Sequence, residues 1–264
     1  MEYFGNILKM KILYDNPVRY FFRLNEREIS LNEHIGNKIS FDFTGKIRCI
    51  ICGRETPKSF FQGMCYPCFQ KAPQAEECVL RPELCRAHEG IARNMNYARE
   101  NCLQEHFVYL SVTDKIKVGV TRKSQIPVRW IDQGAVKAVK IASTSNRYTA
   151  GLIEVALKSK YSDKTNWRSM LSEHNEILEY NEQLNIIMTI LNSELKKNIL
   201  TDEVITEIKY PVLKYPDKPK NITFDKQPHI EGMLSGIKGQ YLIFDDGRVI
   251  NIRKHGGYEV TLRI

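Results

Sequence analysis

The sequence predicts a mixed α+β protein built from several small modules. Three observations carry this prediction: short β-rich runs stand near both ends, cysteines cluster between residues 49 and 102, and the centre alternates strand-like and helix-like patterns. The chain has 264 residues, 42% of them hydrophobic and 27% charged, which is the balance of a globular protein with room for more than one core.

We expect five segments, each with its own pattern. Asn, Gly and charged turns break the β-rich runs at the start, four prolines interrupt residues 211–228, and Asp246-Gly247 is a strong hairpin signal. The predicted segments are a β-rich N-terminal module (1–48), a zinc-binding module (49–106), a central domain (107–167), a helical segment (168–210), and a linker with a C-terminal β module (211–264).

The cysteine spacing predicts a structural zinc site. Cys49 and Cys52 form one Cys-x2-Cys pair, and Cys65 and Cys68 form a second pair after an interval of twelve residues. Each pair can wrap two thiolates around one Zn²⁺, and four thiolates leave no open position, so the site stabilises the fold and does not catalyse. Reduced buried thiols and redox chemistry are the alternative interpretation.

A second zinc site is predicted from the cysteines and histidines that follow, but its ligand set stays open. Spacings of the Cys₂His₂ type are shown by Cys85, His88, Cys102 and His106. Cys78 is able to replace any one of them, and buried thiols with surface imidazoles are the alternative. The sequence therefore predicts one to two zinc ions per chain.

The central segment predicts the order strand, strand, helix, strand, helix. The strands are FVYLSV, IKVGV and VKAVKIA, and the helices lie near residues 127–133 and 147–160. An apolar stripe on the last helix is formed by Tyr148, Leu152, Ile153, Ala156 and Leu157.

Positive charge is concentrated in this same region. Residues 111–170 hold twelve Lys or Arg and four acidic residues, a balance of 12 − 4 = +8, which equals the formal charge of the whole chain. Localised positive charge attracts polyanions, so nucleic acid, DNA or RNA, is the predicted partner. A solvated basic surface without a partner is the alternative. The candidate contacts are Lys115, Arg122, Lys123, Lys140 and Arg147, and, on predicted C-terminal strands, Lys238, Arg253 and Lys254.

The central residues resemble a known nuclease superfamily. FVYL, KVGVT, PVRW and AGLIEVAL are similar to the motifs of the GIY-YIG superfamily, in its branch with a Lys-Ile-Gly type of second strand. The cysteine pairs together with CRAH, VGVTRKSQIPVRWIDQGA, TNWRSML and GIKGQYLIF resemble a bacterial family of unknown function, DUF2797. That wider resemblance implies no activity.

The nuclease resemblance implies four catalytic residues. Tyr109 matches the tyrosine of the first strand, which would position or deprotonate water, and Gly119 matches the glycine of the second strand. Arg129 matches the arginine that contacts the scissile phosphate, and Glu154 matches the ligand of a divalent cation, Mg²⁺ or Mn²⁺. Lys117 stands where the superfamily has its second tyrosine.

Three functions follow as alternatives. The first is a zinc-containing nucleic-acid-binding protein that cleaves phosphodiesters with a divalent metal. The second is a non-catalytic binder of RNA or a ribonucleoprotein, which Lys117 favours because a protonated ammonium is a poor general base unless burial lowers its pKa. The third is a protein-interaction scaffold that docks through the acid-rich residues 168–210.

The location expected from the sequence is the cytoplasm, without a membrane partner. No apolar run approaches the roughly 18–20 residues that span a bilayer, and the first twenty residues lack the apolar stretch of a signal peptide. Seven cysteines in that compartment favour metal binding over disulfides.

Overall fold

A computed structural model describes residues 1–173 and 177–264, and within them the chain forms two compact units. Unit 1 comprises Met1–Gln70, Leu171–Glu173 and Ile208–Ile264, and unit 2 comprises Lys71–Met170 and His174–Glu207. The predicted five segments are therefore regrouped, because the N-terminal and C-terminal β modules share unit 1.

The described residues contain thirteen strands and seven α-helices. The strands are β1 (Glu2–Leu13), β2 (Arg19–Leu24), β3 (Arg27–Ser30), β4 (Lys38–Ile47), β5 (His106–Val112), β6 (Ile116–Arg122), β7 (Lys137–Thr144), β8 (Thr206–Glu207), β9 (Lys220–Asn221), β10 (His229–Lys238), β11 (Tyr241–Phe244), β12 (Arg248–Asn251) and β13 (Tyr258–Arg263). The helices are α1 (Tyr66–Lys71), α2 (Met95–Asn101), α3 (Val128–Asp132), α4 (Arg147–Leu157), α5 (Trp167–Met170), α6 (Tyr180–Ile190) and α7 (Ser193–Lys196). The mixed α and β composition confirms the predicted fold class at this level.

Unit 1 is organised by a nine-stranded sheet with the order β3-β2-β1-β13-β4-β10-β11-β12-β9. The first and last strands of the chain are antiparallel neighbours, with Tyr3 opposite Leu262. Aromatic side chains fill the core, where the Phe41 ring contacts those of Phe22 and Phe224. The hairpin predicted at Asp246-Gly247 is confirmed, because these residues join β11 to β12.

Unit 2 is organised by an antiparallel four-stranded sheet with the order β6-β5-β7-β8. Helix α4 covers one face of this sheet, where Ile153 and Leu157 share a core with Val108 and Leu110 of β5. The Asn146 side chain caps α4 by accepting a hydrogen bond from the Thr149 N–H at 2.9 Å. The predicted order strand, strand, helix, strand, helix is confirmed in this unit.

The other predicted segments have bounds that differ from those of the two compact units. The cysteine region is divided, since residues 49–68 belong to unit 1 and residues 78–106 to unit 2. The predicted helical segment 168–210 contains the short helices α6 and α7, and its residues 174–176 lie outside the described residues. No helix in the described parts of the chain is long and apolar enough to cross a membrane.

Candidate metal centres and catalytic cluster

The four cysteines of the two Cys-x2-Cys pairs come together in unit 1. Their Sγ atoms all lie within 4.8 Å of one another, and the Cys52 and Cys65 Sγ atoms are 3.7 Å apart. Tetrahedral zinc with Zn–S bonds of about 2.3 Å places its sulfur atoms about 3.8 Å apart. The geometry therefore fits a zinc ion held by Cys49, Cys52, Cys65 and Cys68, which we call the four-cysteine centre.

The surroundings of this centre favour the thiolate, the form that binds metal, at Cys49 and Cys52, whereas burial and the neighbouring thiols raise the pKa of Cys68. Burial opposes ionisation of Cys49, but hydrogen bonds from backbone N–H groups outweigh it and lower the pKa of this thiol to about 6. Cys49 and Cys65 are buried, whereas Cys52 is exposed and faces the Arg54 guanidinium. A thiol with a lowered pKa gives up its proton to a metal at lower cost.

A second group of thiols lies in unit 2. The Sγ atoms of Cys78, Cys85 and Cys102, which we call the thiol trio, also lie within 4.8 Å of one another, and all three residues are buried. Cys78 lies in a short 3₁₀ turn, Cys85 follows another, and Cys102 caps the C-terminus of α2. Cys78 is thus a member of the second centre, together with two of the four predicted ligands.

Arg147 lies beside the thiol trio instead of facing solvent. Its guanidinium donates hydrogen bonds to the backbone carbonyls of Cys78, at 3.2 Å, and Asn101, at 3.1 Å. Its positive charge favours ionisation of each thiol of the trio. These bonds hold the guanidinium beside the thiols, and the predicted nucleic-acid contact at Arg147 stays a prediction.

The two predicted histidine ligands have different surroundings. The His88 ring stacks on Tyr148 with centroids 4.3 Å apart, and its Nε2 lies 3.7 Å from the Glu89 carboxylate. His106 is 1% exposed, and burial lowers its pKa to about 4, so its imidazole is neutral at physiological pH. Neither histidine shares the mutual 4.8 Å spacing of the trio.

Tyr109 is fully buried on β5 and is held in place by three neighbours. Its hydroxyl donates a hydrogen bond to Gln133 Oε1 at 2.8 Å, and its ring packs edge-on against Trp130 with centroids 6.0 Å apart. Gly119 is its register partner on β6. Burial raises the pKa of the Tyr109 hydroxyl, so the neutral form is favoured.

Lys117 is buried two residues before Gly119 on the same strand. It is 3% exposed, and its Nζ donates a hydrogen bond to Thr165 Oγ1 at 3.1 Å. Burial lowers the pKa of the Lys117 amine to about 8, and the charge of Arg129 lowers it as well. A lysine with this pKa is partly neutral just above neutral pH.

The charges of Arg129 and Glu154 both act on these two residues. Against the larger effect of burial, Arg129 lowers the pKa of Tyr109, whereas Glu154 raises it. At Lys117, the Arg129 charge lowers the pKa of the amine, whereas the Glu154 charge raises it and so favours the protonated form. Because the charges of Arg129 and Glu154 act on both Tyr109 and Lys117, we call these four residues the central cluster.

Glu154 has two charged neighbours, Lys158, which its i,i+4 spacing on the helix predicts, and Glu83, which the sequence does not predict. It is 7% exposed, burial raises its pKa, and the Lys158 ammonium lies 3.5 Å from its carboxylate. The negative charge of Glu83 also acts on Glu154, and the Glu83 Oε2 atom is buried without a hydrogen-bond partner among the described residues. Glu83 is far away in the sequence, and only its flanking proline, which starts a 3₁₀ turn, marks its position.

The close approach of Glu83 to α4 depends on a glycine. A Cβ atom at Gly151 would stand 2.2 Å from the Glu83 backbone nitrogen and 2.4 Å from the Pro82 carbonyl carbon. Any larger residue would push the turn away from the helix. Gly151 therefore allows Glu83 to lie near Glu154, one helical turn further along α4.

The predicted nucleic-acid contacts have varied surroundings. Lys238 is fully buried, which contradicts its predicted role, because its ammonium cannot reach a phosphate. Lys123 pairs with Glu105 at 2.7 Å, and Lys140 pairs with Glu203 at 2.9 Å. Arg122 and Arg253 each donate a hydrogen bond to a side-chain amide oxygen. Lys115 and Lys254 are exposed.

Comparison with known proteins gives one match. The model of the family described as "Protein of unknown function (DUF2797)" matches residues 36–260, which is most of the chain. Neither the curated proteins nor the solved structures provide a match.

Proposed function

The chain belongs to the DUF2797 family, whose description assigns no activity, and we propose from its own residues that it binds nucleic acid and cleaves phosphodiester bonds. The cleavage depends on a divalent cation, and the central domain is of the GIY-YIG type. The zinc centres stabilise the fold and take no part in the chemistry.

One observation carries this proposal. Tyr109, Lys117, Arg129 and Glu154 come from two strands and two helices, and yet the charges of Arg129 and Glu154 both act on the buried Tyr109 hydroxyl and on the buried Lys117 amine. Structural ion pairs also perturb pKa values, but a phenol, an amine, a guanidinium and a carboxylate together match what phosphodiester hydrolysis requires.

Lys117 is the proposed general base. Its pKa of about 8 lies near the operating pH, where a base combines a useful neutral fraction with sufficient basicity. Tyr109 has a raised pKa and stays neutral, so its hydroxyl orients the attacking water. This division of roles differs from the expectation that Tyr109 acts on water alone.

Arg129 is proposed to neutralise the charge that develops on the phosphate. Its side chain is half-buried at the edge of the cluster and therefore accessible to a substrate. Preorganised cations of this kind stabilise the transition state without reorganisation.

The acidic side of the cluster fits a hard divalent cation. Glu154 supplies one carboxylate, and Glu83, whose Oε1 pairs with Arg81 at 3.3 Å, supports a second oxygen ligand through its buried Oε2, which has no hydrogen-bond partner among the described residues. When bound there, Mg²⁺ or Mn²⁺ would stabilise the charge on the leaving oxygen. Glu83 and Glu154 would hold the ion, and Lys158 would release Glu154 to do so.

Non-catalytic binding of RNA or of a ribonucleoprotein is the second candidate. The ion pair between Glu154 and Lys158 favours it, because a carboxylate that is already paired has less need of a metal. In that case the central cluster holds a phosphate group of the bound polymer and no bond is broken.

The test uses the full chain with duplex DNA, single-stranded DNA and structured RNA in the presence of Mg²⁺ or Mn²⁺. We expect cleavage by the wild type, its loss in Glu154→Ala with binding retained, and a decrease of about 10²-fold in Arg129→Ala. Glu182→Ala, which changes an exposed glutamate on α6, is the matched control and should cleave normally.

Two outcomes would contradict the cleavage proposal. Binding without cleavage, with weaker affinity in Arg129→Ala and no loss in Glu154→Ala, supports the RNA or ribonucleoprotein binder. Absence of binding to every probe at about 50 mM salt, where phosphate contacts are strong, favours the protein scaffold instead.

A further inference from the structure

The loop of the four-cysteine centre carries four aromatic side chains that are not buried. Phe60, Phe61, Tyr66 and Phe69 fall within ten residues of the chain, and we call them the aromatic patch. Tyr66 is 51% exposed, and the other three side chains are half-buried. Contiguous apolar surface that stays in contact with water marks an interaction site.

The rings of the aromatic patch contact one another. The Phe60 ring centroid lies 5.4 Å from that of Tyr66 and 6.2 Å from that of Phe69, and the planes of the Phe60 and Phe69 rings differ by 20°. The Phe61 ring centroid lies 6.1 Å from that of Phe69. Adjacent aromatic rings at a surface are a platform on which flat groups such as nucleobases stack.

A strained turn holds Phe61 in the patch. Phe61 and Gln62 have φ angles of 39° and 68°, in the left-handed region that residues other than glycine rarely adopt. Backbone hydrogen bonds of 2.7 and 2.8 Å between Phe60 and Met64 close the turn. The Gln62 carbonyl oxygen packs against Gly256, where a Cβ atom would stand 2.3 Å from it. Strained backbone of this kind concentrates at binding sites, so the turn supports a binding role for the patch.

Positive charges accompany the aromatic patch. The Lys58 ammonium lies 5.6 Å from the centroid of the Phe60 ring. The Arg253 guanidinium donates a hydrogen bond to the Gln62 side chain at 2.5 Å, and Lys254, the next residue, is exposed. Cations beside aromatic rings are complementary to a polymer that alternates charged phosphates with flat bases.

The negative charges of this loop are largely offset. A zinc ion with four thiolates carries two negative charges, and the Arg54 guanidinium, which faces Cys52, offsets one of them. Glu55, the one acidic residue in the sequence between positions 49 and 70, lies 4.0 Å from the Arg48 guanidinium. The three cations that accompany the patch therefore outnumber the remaining negative charge.

We propose that the aromatic patch binds single-stranded nucleic acid, with bases stacked on Tyr66 and Phe61 and phosphates in contact with Lys58 and Arg253. A duplex keeps its bases stacked on one another and offers no free base face, so the patch selects single strands of any sequence. This inference rests on the nucleic-acid binding proposed above, but not on cleavage, because the patch belongs to unit 1 and the central cluster to unit 2.

The test measures binding of the full chain to fluorescein-labelled probes of about ten nucleotides, without Mg²⁺ or Mn²⁺ so that no probe is cut. The probes are oligo(U), oligo(dT), an abasic strand with the same phosphates, and a duplex. Tyr66→Ala and Phe61→Ala should each bind the two strands that carry bases at least about fivefold more weakly than the wild type does. Their binding to the abasic strand and to the duplex should be unchanged.

Two control variants separate the ring from other effects. Tyr66→Phe keeps the ring and loses only the hydroxyl, which accepts a hydrogen bond from Gln70, so it should bind like the wild type. Tyr14→Ala removes a tyrosine with the same exposed fraction, 51%, from a position outside the patch, and it should also bind like the wild type.

The salt dependence separates phosphate contacts from stacking. Lys58→Ala should weaken binding of every single strand, the abasic one included, and flatten the log–log slope by about 0.7. Tyr66→Ala should leave that slope unchanged. Elemental analysis should find unchanged zinc in each variant, because none of these side chains is a zinc ligand.

Ultraviolet cross-linking of the wild type to oligo(U) decides the matter if Tyr66→Ala loses zinc. Mass spectrometry should then find the cross-link within residues 58–69. Cross-links only outside this range would overturn the proposal. Equal binding of oligo(U) by wild type, Tyr66→Ala and Phe61→Ala would overturn it too, as would equal losses on oligo(dT) and the abasic strand.

The wild type alone distinguishes this proposal from the general one. Binding of the duplex without binding of any single strand would overturn the role of the patch and leave nucleic-acid binding by the chain in place. Absence of binding to every probe at about 50 mM salt would overturn both, and would favour a protein as the partner of the patch.

Discussion

Gly119 lies directly opposite Tyr109 on the neighbouring strand, and a Cβ atom at position 119 would stand 2.5 Å from the Tyr109 hydroxyl oxygen. The tyrosine ring therefore lies across the glycine, and its hydroxyl reaches Gln133 only because no side chain intervenes. The glycine that the nuclease resemblance marked has a steric role in positioning this phenol.

Gly119→Ala is expected to displace the Tyr109 ring. The added methyl group overpacks a buried site, which costs about 1–3 kcal/mol of unfolding free energy. Thermal or denaturant unfolding measures this loss, and phosphodiester cleavage should fall with it. Ile116→Val on the same strand is the control and should cost less than about 1.5 kcal/mol. Equal stability of Gly119→Ala and wild type would show that the ring can move freely.

The pH dependence of cleavage tests the role of Lys117. Because burial lowers the Lys117 pKa to about 8, the neutral amine becomes populated as the pH rises through that value. The cleavage rate should increase between about pH 7 and 9 and then level off. Lys117→Arg keeps the charge and cannot deprotonate in this range, so its rate should be low and without that rise. A wild-type rate that is flat over this interval would exclude Lys117 as the base.

Removal of zinc from the four-cysteine centre should unfold unit 1 locally or globally. Cys65 is buried, and its thiolate would complete the closed tetrahedron of a bound zinc ion, so Cys65→Ser would remove binding energy that is coupled to folding. We expect loss of one zinc per chain by elemental analysis and loss of cooperative unfolding. Ser59→Ala lies in the same loop but outside the ligand set and should keep its zinc. Less than about half a zinc per folded wild-type chain would refute both centres.

Salt dependence tests whether the basic surface contacts phosphates. Each neutralised phosphate contributes a log–log slope of about −0.9 for duplex DNA or about −0.7 for a single strand. Lys115 is exposed, so Lys115→Ala should weaken binding and flatten the slope by about one such increment. Lys123→Ala should have a smaller effect, since that ammonium pairs with Glu105. An unchanged slope in Lys115→Ala would remove this lysine from the interface.

Lys238 makes stability depend on pH in the alkaline range. Its ammonium is buried without a hydrogen bond to the described residues, above the rings of Tyr210 and Tyr215, and burial lowers its pKa to about 8. In the unfolded chain the pKa of this lysine is about 10.4. Between about pH 8 and 10.4 the unfolded chain therefore binds more protons than the folded protein, so stability rises with pH in that window. Lys238→Met should stabilise the protein by about 1–3 kcal/mol at pH 7 and less above pH 10.

Chemical denaturation at several pH values measures this effect. Lys254→Met changes an exposed lysine and serves as the control, with little effect at any pH. A destabilised Lys238→Met protein at pH 7 would show that the contacts with the two tyrosine rings outweigh the cost of burying the charge.

Local features of the site were predictable from the sequence. The ligands of the four-cysteine centre follow from spacing alone, since a Cys-x2-Cys pair brings its own two thiolates together. The second centre was not determined in this way, because the orientation of His106 depends on Gln104 and that of His88 on Tyr148. The orientation of each imidazole is set by its neighbours in the fold, and the spacing of residues along the sequence does not reveal where those neighbours lie.

Long-range features were harder to predict. Glu83 lies near Glu154 only because Gly151 lets a turn that is distant in the sequence approach α4. A glycine within a helical pattern does not indicate which segment packs against it. Lys238 was expected at the surface because a lysine near glycines on a predicted strand usually faces solvent. Residues 234–244, which form the second half of β10 and all of β11, are instead buried on both faces, so alternation gives no exposed side there.

The pairing of β1 with β13 also sets an order of events during translation. Asn6 is paired with Glu259, so one edge of β1 stays open until nearly the whole chain has left the ribosome. The sheet of unit 2, by contrast, has its last strand once residue 207 is made. Open strand edges invite pairing with other chains, and pairings between distant residues form slowly. We therefore expect the nascent protein to fold from its middle outward, and to be most prone to aggregation before β13 emerges.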